Sequence, residues 1–459
     1  MLLMALLRFD PAKEPATSVA LWVPLIWLFI LGSRLPSQWL GGQVIMSAES
    51  FAEGNALDRS IYLLLILLAL YILISRSFEW GKFFATNVAL TALLSFALLS
   101  VLWSDFPFIA FKRWFRELGP YLMVLVVLSD PRPFEAIRKL LRHTCYLLIP
   151  LCILLIKYYP ELAKQYDSWT GQGYFVGATT SKNMLGILCL FSGLFFFWDT
   201  LTRCGERKDR RTRRIVLVNV AFCAMTLWLM DKSSSATSNV CLVLGCVVIA
   251  TAHSKMAKRH PALLTVLIPA GMCLYFLLDF GLGINIMAVL AEAVGRNPDL
   301  TGRTHIWSVV LAMNTNPFVG TGYESFWLGP RLQWVWERAG PQNHAHNGYL
   351  EVYLNLGLIG LFLLISFLIA SYRTICKSVR TFPSLGTLGL TLWTVLLFYN
   401  VTEYAFKGHL LWIAFLLAVI TVPGGSKRYS TEGALLEQRP SNVRLWKAGG
   451  VYKTRFDQR

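Results

Sequence analysis

Residues 341–365 read PQNHAHNGYLEVYLNLGLIGLFLLI. A polar segment with two histidines passes into an apolar run whose only charge is Glu351. A helix needs about 20 predominantly apolar residues to cross a bilayer, and 348–371 supplies them. The border is therefore read as the mouth of a membrane-spanning helix, with His344 and His346 on its polar side. Whether those histidines are ligands, catalysts or loop polarity is the question the rest of the chain must answer.

The whole sequence supports the membrane reading. Of its 459 residues 55% are hydrophobic and 15% charged, with a mean hydropathy of +0.51, whereas soluble domains carry about 25% charged residues. Apolar blocks such as IYLLLILLALYILI (61–74) and LTVLIPAGMCLYFLLDF (264–280) have spanning character. Twelve spans are expected near 17–35, 59–75, 83–103, 117–129, 138–159, 180–200, 215–230, 238–253, 261–280, 348–371, 385–400 and 408–422. The fourth is short and starts earlier if the amphipathic stretch before it joins the helix. The first 16 residues carry Asp10, Pro11 and Glu14 before any long apolar core, so no cleavable secretory leader is expected.

The net charge of +17 does not indicate nucleic acid. Arginines concentrate between spans, as in RCGERKDRRTRR (203–214), the pattern of loops retained in the cytoplasm. An even span count puts both termini on one side, and the Lys and Arg excess makes that side cytoplasmic. All nine cysteines then fall in spans or on the inner side, in keeping with an oxidising compartment outside. No CxxC pair offers a cysteine zinc site.

The expected organisation is a transmembrane domain over 1–423 and a basic cytoplasmic tail over 424–459, disordered or lying on the surface. The longest connection, 281–347, lies on the periplasmic side of this topology. INIMAVLAEAVGR (284–296) and RTHIWSVVLAMNTNP (303–317) have apolar spacing near 3.6 and are expected as surface-lying helices. A structured loop of this length is usually functional.

Within it, His346 and Asn347 stand immediately before the helix, and nine residues later come Gly357 and Gly360, small residues suited to close helix approach. Metal ligation is a weak reading, because His344 and His346, two apart, diverge on a helix and no third outer ligand is near in sequence. Arg296 and Arg303 bracket NPDLTG; Lys182, Asn183 and Lys232 sit at outer span ends. Each has an ordinary reading, snorkelling to headgroups or pairing with an acid. Together they make an electropositive mouth suited to a lipid diphosphate. Trp307, Tyr323, Trp327, Trp334 and Trp336 are open to two readings, sugar stacking or an interfacial aromatic belt. A transporter or lipid-linked-sugar flippase is the rival class, but it would keep ionisable groups at mid-membrane, and the span cores hold almost none.

HNGYLEVYLNLGLIG (346–360) resembles the His-Asn, nine residues, Gly-x-x-Gly pattern of the O-antigen ligase and Wzy-type polymerase superfamily. GRTHIWSVVLAMNTNPFVGTGYESFW (302–327) is similar to the segment preceding that motif. SVLWSDFPFIAFKRWFREL (100–118) and GATTSKNMLG (177–186) are similar to two weaker family stretches. KSSSATS (232–238) looks most like exopolysaccharide polymerases of the ExoQ type. The resemblance implies an all-α, polytopic, GT-C-like glycosyltransferase of the bacterial inner membrane, metal-independent and inverting, without a cofactor. Its partners would be an undecaprenyl-diphosphate-linked glycan donor, a glycan acceptor, the bilayer and a chain-length regulator protein, with no nucleic acid. By motif, His346 corresponds to the family histidine and Arg303 to the loop arginine; Arg296, Lys182, Lys232, Asn347 and Tyr323 are candidate substrate contacts. Where the ligases carry a further arginine after a serine pair, this chain has Ala236 and Thr237, which weighs toward polymerase over ligase. Asn347 or Glu351 is expected to fix the imidazole tautomer.

Overall fold

A computed structural model describes residues 17–41, 54–166, 171, 173–204, 210–278, 303–424, 446–448 and 451–453. Its helices of seven or more residues are α1 (Trp22–Leu31), α2 (Ala56–Ser75), α3 (Trp80–Thr86), α4 (Val88–Leu99), α5 (Pro107–Leu128), α6 (Pro133–Tyr158), α7 (Lys182–Cys204), α8 (Arg210–Ser233), α9 (Ala236–His253), α10 (Pro261–Phe276), α11 (Arg303–Leu311), α12 (Gly329–Ala339), α13 (Gly348–Thr381), α14 (Pro383–Thr402) and α15 (Leu410–Val419). Two antiparallel strand pairs complete it, β1 (Lys164–Tyr166) with β2 (Gly173–Phe175) and β3 (Trp446–Ala448) with β4 (Val451–Lys453). The second pair falls in the tail expected to be disordered.

A helix lies over each of the twelve apolar stretches, and among the described residues seven are long and apolar enough to cross a membrane: α2, α6, α7, α8, α9, α13 and α14. The pair α3 and Val88–Trp103 makes an eighth if counted as one span, and it is bent by 99°. The shortfall has local causes. Helix α15 has 10 residues, about 15 Å of rise against a hydrocarbon core of about 30 Å. Helix α5 does start early, at Pro107, and so takes up Lys112, Arg113, Arg116 and Glu117. The exposed residues fit a lipid surround. Leu358, Phe362, Ile365 and Ile369 of α13 and Val240, Val243 and Val247 of α9 form apolar stripes at helical spacing.

Helix α7 packs against α8 and α9, α14 against α9 and α13, and α15 against α14 and α5. Fully buried Trp198, Phe195, Phe196, Tyr399, Trp412 and Phe415 fill the centre. At one end of α7, buried Asp199 accepts from Arg138 at 2.7 and 2.9 Å, Arg203 at 2.9 Å, Arg142 at 3.5 Å and Asn219 at 2.8 Å. That carboxylate ties α6, α7 and α8 together.

The feature that positions the site is a break in α13. Gly357 has φ +64 and ψ −164, a conformation open essentially to glycine alone. The segment 317–322 fills the gap and satisfies the freed backbone. Leu358 and Ile359 donate to Pro317 and Phe318 at 2.8 and 3.1 Å, and Thr321 and Gly322 donate to Leu354 and Asn355 at 3.1 and 2.9 Å. The expectation for Gly357 is thus corrected: its missing side chain admits an irregular loop, not a neighbouring helix. Irregular backbone beside a spanning helix needs such internal partners, because lipid offers none.

Candidate functional site

Four elements converge at the N-terminal end of α13. Asn347 caps that helix, its side chain accepting from Leu350 N–H at 3.0 Å and donating to the Val401 carbonyl at 3.0 Å. Asn347 is thereby committed to holding α13 against the end of α14. A Cβ on Gly348 would lie 2.0 Å from Asn400 Oδ1, so the contact tolerates only glycine there.

The loop before the cap is held by tryptophans. Trp307 Nε1 donates to the Ala345 carbonyl at 2.8 Å and Trp336 Nε1 to that of Gln342 at 2.8 Å. Buried Glu351 receives Trp327 Nε1 at 3.0 Å on each oxygen and the Ala345 N–H. Glu351 therefore anchors the loop and does not touch the imidazole. Trp307 and Trp336 thus spend their N–H groups on the loop itself, and Trp327 reaches it through Glu351 of α13. Trp334 instead lies under the Arg338 guanidinium, 4.2 Å from its ring centre.

Thus clamped, His346 takes a left-handed backbone with φ +50, rare for a residue with a side chain. The turn also corrects the expected divergence of the two histidines: their ring centres are 4.1 Å apart. His346 Nδ1 lies 3.2 Å from Glu403 Oε2, and Nε2 lies 3.3 Å from the Gln342 side chain.

Glu403, at the C-terminal cap of α14 and 4% exposed, is the hub. Its Oε1 pairs with Arg303, the first residue of α11, and accepts from Asn183 Nδ2 at 3.0 Å. So the carboxylate joins the histidine and the arginine read from the sequence, plus one neighbour of Lys182.

The remaining candidates separate. The Lys182 ammonium sits 5.1 Å from the Tyr174 ring centre. Lys232 turns to Asp231 at 3.0 Å and to the Trp228 ring at 5.9 Å, so it is not among the groups at Glu403. Tyr323 lines a neighbouring pocket with Glu117, Tyr121, Tyr404 and Lys407. There burial pushes the Glu324 carboxyl up, but Lys407 and Arg113 outweigh it and hold the group below the usual value. Arg296 and the segment 284–296 lie outside the described residues.

His344, His346 and Glu403 offer ligand atoms within 4.8 Å of one another, room for a cation. Removal from water, then His346, Lys407, His409 and Arg303, hold the His344 imidazole well below its ordinary pKa, which favours its neutral form.

This geometry lies largely within a recognised segment. Residues 219–365 match the O-antigen ligase family model. The family resemblance holds. Over 301 residues the chain is 25% identical to the exopolysaccharide production protein ExoQ of Rhizobium meliloti (strain 1021), covering 63% of this chain and 65% of that protein. The match thus spans just under two thirds of the relative. The O-antigen ligase segment includes Arg303 and His346 but ends before Glu403, which no sequence motif had singled out.

Proposed function

We propose that the protein is a glycosyltransferase of the bacterial inner membrane that joins polysaccharide repeat units carried on undecaprenyl diphosphate, at the periplasmic face, with both termini cytoplasmic. The observation that carries this reading is the meeting of Arg303 and His346 on one buried carboxylate. A guanidinium suits a diphosphate through paired hydrogen bonds, and an imidazole beside a carboxylate suits proton removal from a hydroxyl.

In the reaction, the acceptor hydroxyl oxygen attacks the anomeric carbon of the donor sugar. The bond from that carbon to the diphosphate oxygen breaks and its electron pair leaves with the lipid diphosphate. The hydroxyl proton passes to His346 Nε2, and the anomeric configuration inverts. Arg303 stabilises the departing diphosphate. No step requires a metal or cofactor, because the leaving group is already good and catalysis rests on positioning and charge. The exopolysaccharide role of the relative favours polymerisation; the name of the family model favours ligation onto another acceptor.

His346→Ala and Arg303→Ala, each expressed in cells lacking the wild-type copy, test the reading. Loss of a positioned base costs about 10²–10⁴-fold, so polymer should all but disappear from both. Unchanged yield and chain length in both variants would remove the site.

A further inference from the structure

The carboxylate that joins His346 to Arg303 takes part in none of the bond-making or proton-transfer steps above. Glu403 offers two oxygens with separate tasks. Oε2 faces His346 Nδ1 at 3.2 Å, and Oε1 takes Arg303 and Asn183. A carboxylate acceptor places the imidazole proton on Nδ1, and the Nε2 lone pair then faces the acceptor side, where Gln342 lies with its Oε1 at 3.3 Å and must turn its amide NH2 to Nε2 or give way to the acceptor hydroxyl. The Arg303 that must hold the diphosphate is meanwhile engaged by the same carboxylate.

We infer that Glu403 is a positioning residue that couples donor capture to readying of the base: it fixes His346 as the Nδ1–H tautomer and surrenders Arg303 to the incoming diphosphate. This rests on the proposed function. As Arg303 turns to the phosphate, Asn183 stays on Oε1 and keeps the carboxylate oriented. The Glu403 charge then acts undivided on His346, whose Nε2 becomes the better proton acceptor. The other charged or titratable groups bearing on this pair are His344 in the loop, Lys407 and His409 after α14, and Tyr399 and Cys241 on the adjoining helices. None of them bonds both partners. The arrangement holds the arginine in reserve and the histidine in register until the donor arrives.

The test uses the full-length protein in phosphatidylcholine vesicles, with undecaprenyl diphosphate as the binding probe and lipid-linked repeat units extracted from host membranes for turnover. Glu403→Gln should lower turnover about 10- to 100-fold, the usual cost of losing a carboxylate behind a histidine. Undecaprenyl diphosphate should bind as tightly or more tightly, since Arg303 has lost a competitor. Glu403→Asp should recover part of the turnover. Nitrogen-15 NMR of wild-type His346 should report the Nδ1–H tautomer without donor. Glu403→Gln turning over within threefold of wild type, or losing probe binding in step with turnover, overturns the proposal. So does an Nε2–H tautomer in the wild type, a measurement that stands even if the variant does not fold. With His346→Ala inactive, these failures touch the coupling alone; a His346→Ala protein as active as wild type removes the underlying reading as well.

Discussion

Replacing Gly357 by alanine should damage the protein more than any other single methyl addition to α13. At φ +64 and ψ −164 a side chain costs about 1–3 kcal/mol in backbone strain alone. The new Cβ would also lie 2.3 Å from the Phe318 carbonyl carbon and oxygen, so the segment 317–322 must back away. Retreat breaks the bonds from Leu358 and Ile359 to Pro317 and Phe318, each worth about 0.5–1.5 kcal/mol net in water and more where no water replaces them. The sum is about 2–6 kcal/mol, a large part of the roughly 5–15 kcal/mol that typically holds a protein together. Thermal unfolding in detergent measures it, with Gly81→Ala as control, because nothing lies within 4 Å of a Cβ there and alanine favours a helix by about 1 kcal/mol. A Gly357→Ala protein unfolding with the control would refute the reasoning that the break and its loop are one unit.

Three further outcomes follow from particular contacts. Asp199→Ala leaves three arginines facing each other without their shared carboxylate, a loss of about 3–5 kcal/mol that should appear as reduced folded yield from membranes; yield equal to wild type would contradict the role given to that cluster. Trp327→Phe removes the N–H shared by both Glu351 oxygens and should cost about 1–3 kcal/mol, lowering turnover while donor binding persists; a parallel loss of binding would count against it. The His344 imidazole is held below its ordinary pKa by burial and by His346, Lys407, His409 and Arg303. The unfolded chain therefore takes up that proton first as pH falls. The stability concerned is complete above about pH 6.5 and declines below it. His344→Asn should flatten the acid side of a stability-against-pH curve, and an unchanged curve would exclude this histidine as its source.

How much of this was legible in the sequence depends on the range of each interaction. Apolar blocks of spanning length located a helix at every expected place, because burial and lipid exposure are written residue by residue. By length and charge, short α15 and charged α5 stand apart from the seven candidate spans among the described residues. His346 and Arg303 were readable as local motifs. Glu403 was not: it stands 57 residues from His346 in sequence, and only the packing of α14 on α13 brings it there. Asn183 was noted for its place at a span end, with no hint of its partner. Gly357 was visible as a small residue, yet its left-handed break depends on a loop about 40 residues upstream. The tryptophans of 307–336 were read by composition alone, and composition does not tell which carbonyl or carboxylate an indole N–H will find.

The most direct measurement is made on purified protein in vesicles supplied with lipid-diphosphate-linked repeat units on the side facing His346. New glycosidic bonds, products longer by whole repeats and released lipid diphosphate are expected from wild type and absent from His346→Ala. Movement of the lipid-linked units across the vesicle wall with no bond formed would contradict the account.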